Sequence, residues 1–415
     1  MMSKRKTKLS LYSKAVNHIL LLYPILNTYA LINTLSVGRF ILLGLVLVFI
    51  IRILLKKQRP MSYAPKQFNT YCMFWLVSAA LSTLYIGVSV LGALPGIVYS
   101  FVFMLLFFYE TDLDYLLKWY KRYAVVFIGF FLLQEALYAA TGIRIPGIIQ
   151  GLPLTVDVEV GSDHYMDTIL YGYRSTSVFS EPAHFAQWLL PLFAIELIYD
   201  KDKKHYFFAG VIALTLLLLR SGNAMIGLAV VVLYFLLHLL FESKTKYRLL
   251  ILTVFITVMF FGGRYYLQSE AAEDVLDRQD ELMLSDGESD KMGQVRLYRG
   301  YYVFDEYNTL EQLVGMSDVP KLLNYIKISK VAIFFKEHET YFNAIQSILL
   351  KTGYIGLLIF GFLCISLSKR NSYAGKAILW TFVALSFVAG LFFTTTMALY
   401  LVLAYKLKQQ NEQIS

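Results

Sequence analysis

Residues 201–248 read KDKKHYFFAGVIALTLLLLRSGNAMIGLAVVVLYFLLHLLFESKTKYR. Two apolar runs, 206–220 and 222–241, are separated by little more than Arg220 and Ser221. A helix that crosses the hydrocarbon core of a bilayer needs about 20 mostly apolar residues. Lys201, Lys203 and Lys204 precede the first run, and Lys244, Lys246 and Arg248 follow the second. The stretch therefore reads as a helical hairpin that crosses a membrane and returns. Short basic loops stay in the cytoplasm, which leaves Arg220 in a turn on the outer face.

The same alternation extends to both sides. Apolar spans are expected near 15–33, 37–55, 69–87, 90–109, 123–141, 182–199, 248–266 and 343–366. The stretch 374–406 is long for one span and tight for two. It reads as two short or tilted helices, giving about 12 spans in all, or 11 if it is one. Every second loop is basic. Lys4, Arg5, Lys6, Lys8 and Lys14 precede span 1, and Arg52, Lys56, Lys57, Arg59 and Lys66 follow span 2. Lys118, Lys121 and Arg122 follow span 4, Lys369, Arg370 and Lys376 follow span 10, and Lys406 and Lys408 end the last span. With the two loops around the first hairpin, 24 of the 38 basic residues lie on one side. That count favours 12 spans with both termini cytoplasmic. The fold class is an all-α polytopic membrane protein, read as one integral membrane domain over residues 1–415. The basic N-terminus leads into a full-length span without a small-residue cleavage site, so no cleavable signal is expected.

Composition agrees. Of 415 residues 57% are apolar and only 16% charged, against about 25% in soluble domains. Mean hydropathy is +0.56. A soluble enzyme, a disordered chain and a disulfide scaffold are all excluded, and the net charge of +9 becomes a topological label. Cys72 and Cys364 lie in or beside apolar segments and form neither a disulfide framework nor a metal site.

Two outer loops are long, about 141–180 and about 267–341. Loops of this size are usually functional or disordered. The second has aromatic and aliphatic residues at helical spacing over 295–304 and 310–328, so it is expected to be partly helical and to pack over the membrane surface. The first closes on Arg174-STSVFS-Glu181-Pro182-Ala-His184. Pro182 suits the first position of a helix, because the missing N–H is not needed there. Ser180 would then be the N-cap, and Glu181 would sit where a helix dipole favours a carboxylate. Plain capping explains these residues as well as chemistry does.

Three further constellations carry chemistry. Arg220 sits in its short outer turn, either as a snorkelling anchor or as a binding group. In the large loop, Arg296 and Arg299 are three apart and share a helical face, and Gly315 follows after 15 residues. A guanidinium pair matches the oxygens of a diphosphate, although salt bridges to the loop's many acids would also use it. His338-Glu339-TYF-Asn343 leads into the span that carries Gly353 and Gly356. The two glycines suggest close helix packing, and a histidine at the outer mouth can act as a general base. Asp112 and Asp114 fall on the cytoplasmic side. Asp163, His164 and Asp167 are thin support for an ion. His18, His184, His205 and His238 read as helix-end or packing residues. No metal site, cofactor or nucleic-acid partner is expected.

In order and sidedness, residues 140–365 resemble the Wzy-type polymerases and the related O-antigen ligases. The shared pattern is an outer-loop Arg before a Phe-x-Glu-Pro helix start, an Arg in a short outer turn, and a large outer loop with further Arg and a Gly. A His/Asn helix start ending in Gly-x-x-Gly completes it. Where the ligase pattern has a histidine directly before the asparagine, this chain has Phe342. The resemblance implies metal-independent, inverting glycosyl transfer on the outer face of the bacterial cytoplasmic membrane. The donor would be a glycan on undecaprenyl diphosphate and the acceptor a new lipid-linked repeat unit. A chain-length regulator and a flippase are the protein partners it implies.

On that resemblance Arg174, Arg220, Arg296 and Arg299 would hold the diphosphate, and Glu181 or His338 would serve as base. Pro182, Gly315, Asn343, Gly353 and Gly356 would be structural. The product would be an O-antigen, capsular or other surface polysaccharide. A ligase is the second reading. A flippase is the third, and it fits less well, because polar groups gather at the outer mouth and not at mid-membrane.

Overall fold

The computed structural model describes residues 9–32, 35–57, 59–86, 94–149, 151–155, 174–199, 205–242, 292–317, 319–330 and 342–414, with isolated positions 253, 264 and 332. It is a helical protein. In chain order the helices are α1 (Leu11–Leu26), α2 (Val37–Lys56), α3 (Lys66–Ile86), α4 (Leu94–Glu110), α5 (Leu113–Thr141), α6 (Pro182–Ala194), α7 (His205–Leu218) and α8 (Gly222–Glu242). After them come α9 (Met292–Asp305), α10 (Thr309–Val314), α11 (Val319–Ile328), α12 (Ala344–Ser368), α13 (Tyr373–Leu385) and α14 (Thr395–Ile414). The expected span 248–266 lies outside the described residues.

Among the described residues, four helices are long and apolar enough to cross a membrane: 37–56, 113–141, 222–241 and 344–368. Shorter apolar helices cover 94–110, 206–218 and 373–385. Much of this apolar surface is not covered by protein. On α2, Phe40, Leu47, Leu54 and Leu55 are all exposed, a pattern that acyl chains satisfy and water does not. The stretch 374–406 resolves into two helices, as expected from its length. Many helix starts have a polar side chain in place: Ser10 accepts from Ser13 N–H, Ser36 from Arg39 N–H and Asp112 from Tyr115 N–H. These satisfy donors that a helix start leaves orphaned.

One expectation is corrected at the C-terminal end of the first span. Helix does not continue to residue 33. Pro24 sits in the last turn of α1, which ends at Leu26, and a short antiparallel hairpin follows, β1 (Ala30–Ile32) with β2 (Leu35–Ser36). Residues 151–155 of the first long loop lie against this hairpin: Ala30 N–H donates to Pro153 O at 2.8 Å, and Thr155 N–H to Thr28 O at 3.0 Å.

The core is built around α6. Every residue from Phe185 to Ala194 is buried. Trp188 donates its indole N–H to Leu21 O of α1 at 2.8 Å, and Tyr400 of α14 donates to Gln187 O at 2.8 Å. Tyr120 of α5 donates to Trp188 O. An aromatic stack of Phe127, Phe179, Phe185 and Trp188 fills the space above. Aromatics contribute most of the buried area per residue in such a core. A helix enclosed in this way holds its N-terminus rigidly, and that N-terminus carries Glu181 and His184.

Candidate functional site

Pro182 occupies the first turn of α6, as expected. The cap itself is one residue later than expected. Glu181, not Ser180, is the N-cap, and its side chain makes no capping hydrogen bond. Ser180 is displaced because its hydroxyl is engaged elsewhere: Oγ lies 3.0 Å from His184 Nδ1. Ser180 is buried, whereas Glu181 and His184 are exposed.

These residues line a cavity of about 370 Å3. Its other walls come from the C-terminal end of α1 and the residues after it (Tyr23, Asn27, Thr28), the start of α2 (Arg39), α4 (Tyr99, Ser100, Phe103), Thr155 of the first long loop, and Phe393–Thr396 before and at the start of α14. One carboxylate, one imidazole and one guanidinium therefore face one space, surrounded by an amide, several hydroxyls and four aromatic rings. Arg39 is exposed and hydrogen-bonds the Tyr23 side chain. Among the described residues the Glu181 carboxylate has no hydrogen-bond partner. Amides and hydroxyls suit sugar hydroxyls, a guanidinium suits an anion, and the carboxylate or imidazole can accept a proton.

The other sequence-derived residues lie elsewhere. Arg174 is half-buried at the end of the first long loop and does not line this cavity. Arg220 is exposed in the short turn between α7 and α8, as expected, and its backbone is left-handed with φ of 47°. Such a conformation is unfavourable for a non-glycine residue and persists only where its surroundings impose it. Arg299 is buried on α9, with its guanidinium 5.8 Å from the ring centroid of Phe342. Arg296 is also on α9, but its side chain lies outside the described residues, as do His338, Glu339, Asp163, His164 and Asp167.

The structural residues show how the large loop is attached. Asn343 caps α12: its Oδ1 accepts from Gln346 N–H at 2.8 Å, and its Nδ2 donates to Phe387 O at 2.8 Å. Gln346 reaches in turn to Leu297 O of α9 at 2.7 Å. Gly353 breaks the helical conformation inside α12, with φ of 62°, and a Cβ there would meet Leu313 O at 2.4 Å. Gly315, with φ of 77°, packs on Lys351 and Thr352, and Met316 N–H donates to Leu350 O at 2.8 Å. Gly353 thus admits a loop helix, which differs from the packing of two membrane helices that Gly-x-x-Gly suggested. Gly356 sits against Thr352 of its own helix, with Phe74 of α3 just beyond. Trp75 and Ser78 of α3 hold the same loop through Ser317 Oγ at 3.0 Å and Val314 O at 2.5 Å.

Two cavity residues were not singled out from sequence. Arg39, like Arg220, falls where the alternation of basic loops expects an outer turn, and the positive-inside rule marks it equally. His184 reads from sequence as a helix-end or packing residue, and it does lie on the first turn of α6; nothing local distinguishes it further. Among the described residues no cluster of three or more His, Cys, Asp or Glu could hold a metal ion. No family model, curated protein or solved structure matches the chain.

Proposed function

We propose that this chain is a polymerase of lipid-linked repeat units for a bacterial surface polysaccharide. It would be a multi-pass protein of the cytoplasmic membrane with 12 spans and both termini in the cytoplasm. Its substrates would be a glycan on undecaprenyl diphosphate as donor and a new lipid-linked repeat unit as acceptor. The observation that carries this reading is the cavity at the mouth of α6. It combines a fixed cation, Arg39, with proton acceptors and a ring of sugar-compatible donors. It opens among helix ends that charge asymmetry assigns to the outer side.

Transfer from a glycosyl diphosphate needs two things of the protein. Negative charge grows on the departing diphosphate, and cations placed there lower the barrier. Arg39 is the candidate in the cavity, with Arg174, Arg220, Arg296 and Arg299 as further candidates from the outer loops. The acceptor hydroxyl must also lose its proton. Glu181, in the cavity, and His338, outside the described residues, are candidates from sequence.

The test is reconstitution. Purified protein in liposomes is given the undecaprenyl-diphosphate repeat unit that accumulates in a strain lacking this gene. A ladder of lipid-linked oligomers supports the reading. Transfer of glycan only to a different final acceptor would mark a ligase, and movement of the lipid across the bilayer without any new glycosidic bond would mark a flippase.

A further inference from the structure

We infer that His184 is the group that takes the proton from the acceptor hydroxyl, with Ser180 as its positioning residue. This rests on the glycosyl-transfer reading and names the base within it. His184 is on the first turn of α6, behind Pro182, and the turn is closed by a hydrogen bond from Phe185 N–H to Glu181 O at 3.3 Å. Below it Phe185 and Trp188 are buried in the core, so the backbone that carries the imidazole cannot drift. The ring is held at one nitrogen only. Nδ1 lies 3.0 Å from Ser180 Oγ, and Ser180 is itself buried. With the proton on Nδ1, that N–H donates to Ser180 Oγ and Nε2 keeps its lone pair. Among the described residues Nε2 has no hydrogen-bond partner, and His184 lines the cavity. A base whose second nitrogen is oriented by a fixed partner is the arrangement that nucleophile activation needs.

Glu181 lines the same cavity but is held by nothing among the described residues. It is the N-cap of the same helix, three residues before His184. The step balances without a co-reactant. The acceptor oxygen forms a bond to the donor's anomeric carbon as the bond from that carbon to the diphosphate oxygen breaks. The electron pair leaves on undecaprenyl diphosphate, the hydroxyl proton passes to Nε2, and the imidazolium later returns it to water. The other titratable or charged groups facing His184 across the cavity are Tyr23 of α1, Arg39 of α2, Tyr99 of α4 and Glu181.

The experiment uses the full-length protein in liposomes with the lipid-linked repeat unit described above. His184→Ala is expected to lower turnover by about 10²–10⁴-fold with the KM for lipid unchanged. Added imidazole should restore part of the rate, and the acidic limb of the wild-type pH–rate profile should be absent from the variant. Ser180→Ala should lose about tenfold and keep that limb. A His184→Ala enzyme at wild-type turnover overturns the assignment. So does an inactive one that imidazole does not move, and so does loss of the acidic limb in Glu181→Gln while His184→Ala keeps it. Wild-type protein that binds the lipid and forms no oligomer is a different failure. It removes the polymerase reading, and the base assignment falls with it.

Discussion

The two ends of the helical bundle treat charge in opposite ways. At the end that carries the starts of α1 and α5 and the close of α2 and α4, charges are engaged with one another. Glu110 accepts from Ser13 Oγ and from Arg52 Nη1, the latter at 2.8 Å, and Arg52 also lies 4.4 Å over the Tyr12 ring. Lys121 pairs with the fully buried Glu196 at 2.8 Å. At the other end, Glu181 is unpartnered among the described residues, His184 is held at one nitrogen, and Arg39 is exposed in a cavity. A charge that the fold has already neutralised can only be structural. One left facing a cavity is either a defect or a place for a ligand, and a cavity with three such groups points to a ligand.

The strongest way to break this contrast is to remove cations from the cavity end. Arg39→Ala is expected to lower polymer formation by about 10²–10³-fold, the usual loss for one transition-state donor, while the unfolding temperature in detergent stays within error of wild type. Arg220→Ala should also abolish long-chain product without impairing insertion. A normal chain-length ladder in Arg39→Ala would show that the cavity is not where the leaving group is held.

At the opposite end, around Glu110, the same kind of substitution should act on stability instead. Glu110→Ala removes a carboxylate whose side chain is 5% exposed and leaves Arg52, 28% exposed, without its partner. Breaking a buried pair costs about 3–5 kcal/mol, and the partial exposure of Arg52 puts this one at the lower end. The check is equilibrium unfolding in detergent, together with turnover per folded molecule, which should be unchanged. A fall in turnover with no loss of stability would erase the distinction between the ends.

Much of this contrast was legible in the sequence because it follows from short-range rules. Pro182 marks the start of α6, and Asn343 with Gln346 forms a cap three residues apart. Where the outcome depended on distant residues, the sequence was silent. His184 becomes notable only once Ser180 has turned away from capping and once Thr28, Arg39 and Thr394 have closed a cavity around it. Gly353 and Gly356 do read as close packing, but which partner approaches is set by Leu313, forty residues earlier. The hairpin at 30–36 escaped because its stretch is apolar enough to extend a span, and only Pro24 hints at an end.

Attachment of the large loop offers a finer test of whether the cavity end depends on it. Gly315 has φ of 77° and ψ of −179°, a region open in practice only to glycine, and an added Cβ would lie 2.2 Å from Thr352 N. Gly315→Ala is expected to cost about 1–3 kcal/mol, felt first as loss of the contact between α10 and α12. Limited proteolysis within residues 292–330 should accelerate while the cavity variants do not change it. Equal proteolysis rates in Gly315→Ala and wild type would mean that the loop does not depend on this docking.

The smallest expected effect refines the comparison, because it concerns a fully engaged charge on the large loop itself. Glu311 is buried on α10. It accepts from Lys321 Nζ at 2.5 Å, from Tyr325 OH at 2.7 Å and from Asn308 N–H at 3.1 Å. Burial pushes its carboxyl up, but the hydrogen bonds from Lys321, Tyr325 and Asn308 outweigh burial and hold it below the usual carboxylate range. A carboxyl lowered on folding adds stability that is fully present above its unfolded pKa, about 4.3, and is lost as pH falls through the folded value. Glu311→Gln should therefore be less stable than wild type at neutral pH, by about 2 kcal/mol for hydrogen bonds to a charged group. The difference in unfolding temperature should hold constant down to about pH 5 and close below about 4.3. Polymer formation per folded molecule should not change, because the charge is already spent on Lys321 and Tyr325. A gap that persists unchanged to pH 3, or a specific loss of turnover, would place Glu311 with the cavity groups and not with Glu110 and Glu196. It is then engagement with partners, and not the side of the membrane, that separates structural charges from candidate functional ones in this protein.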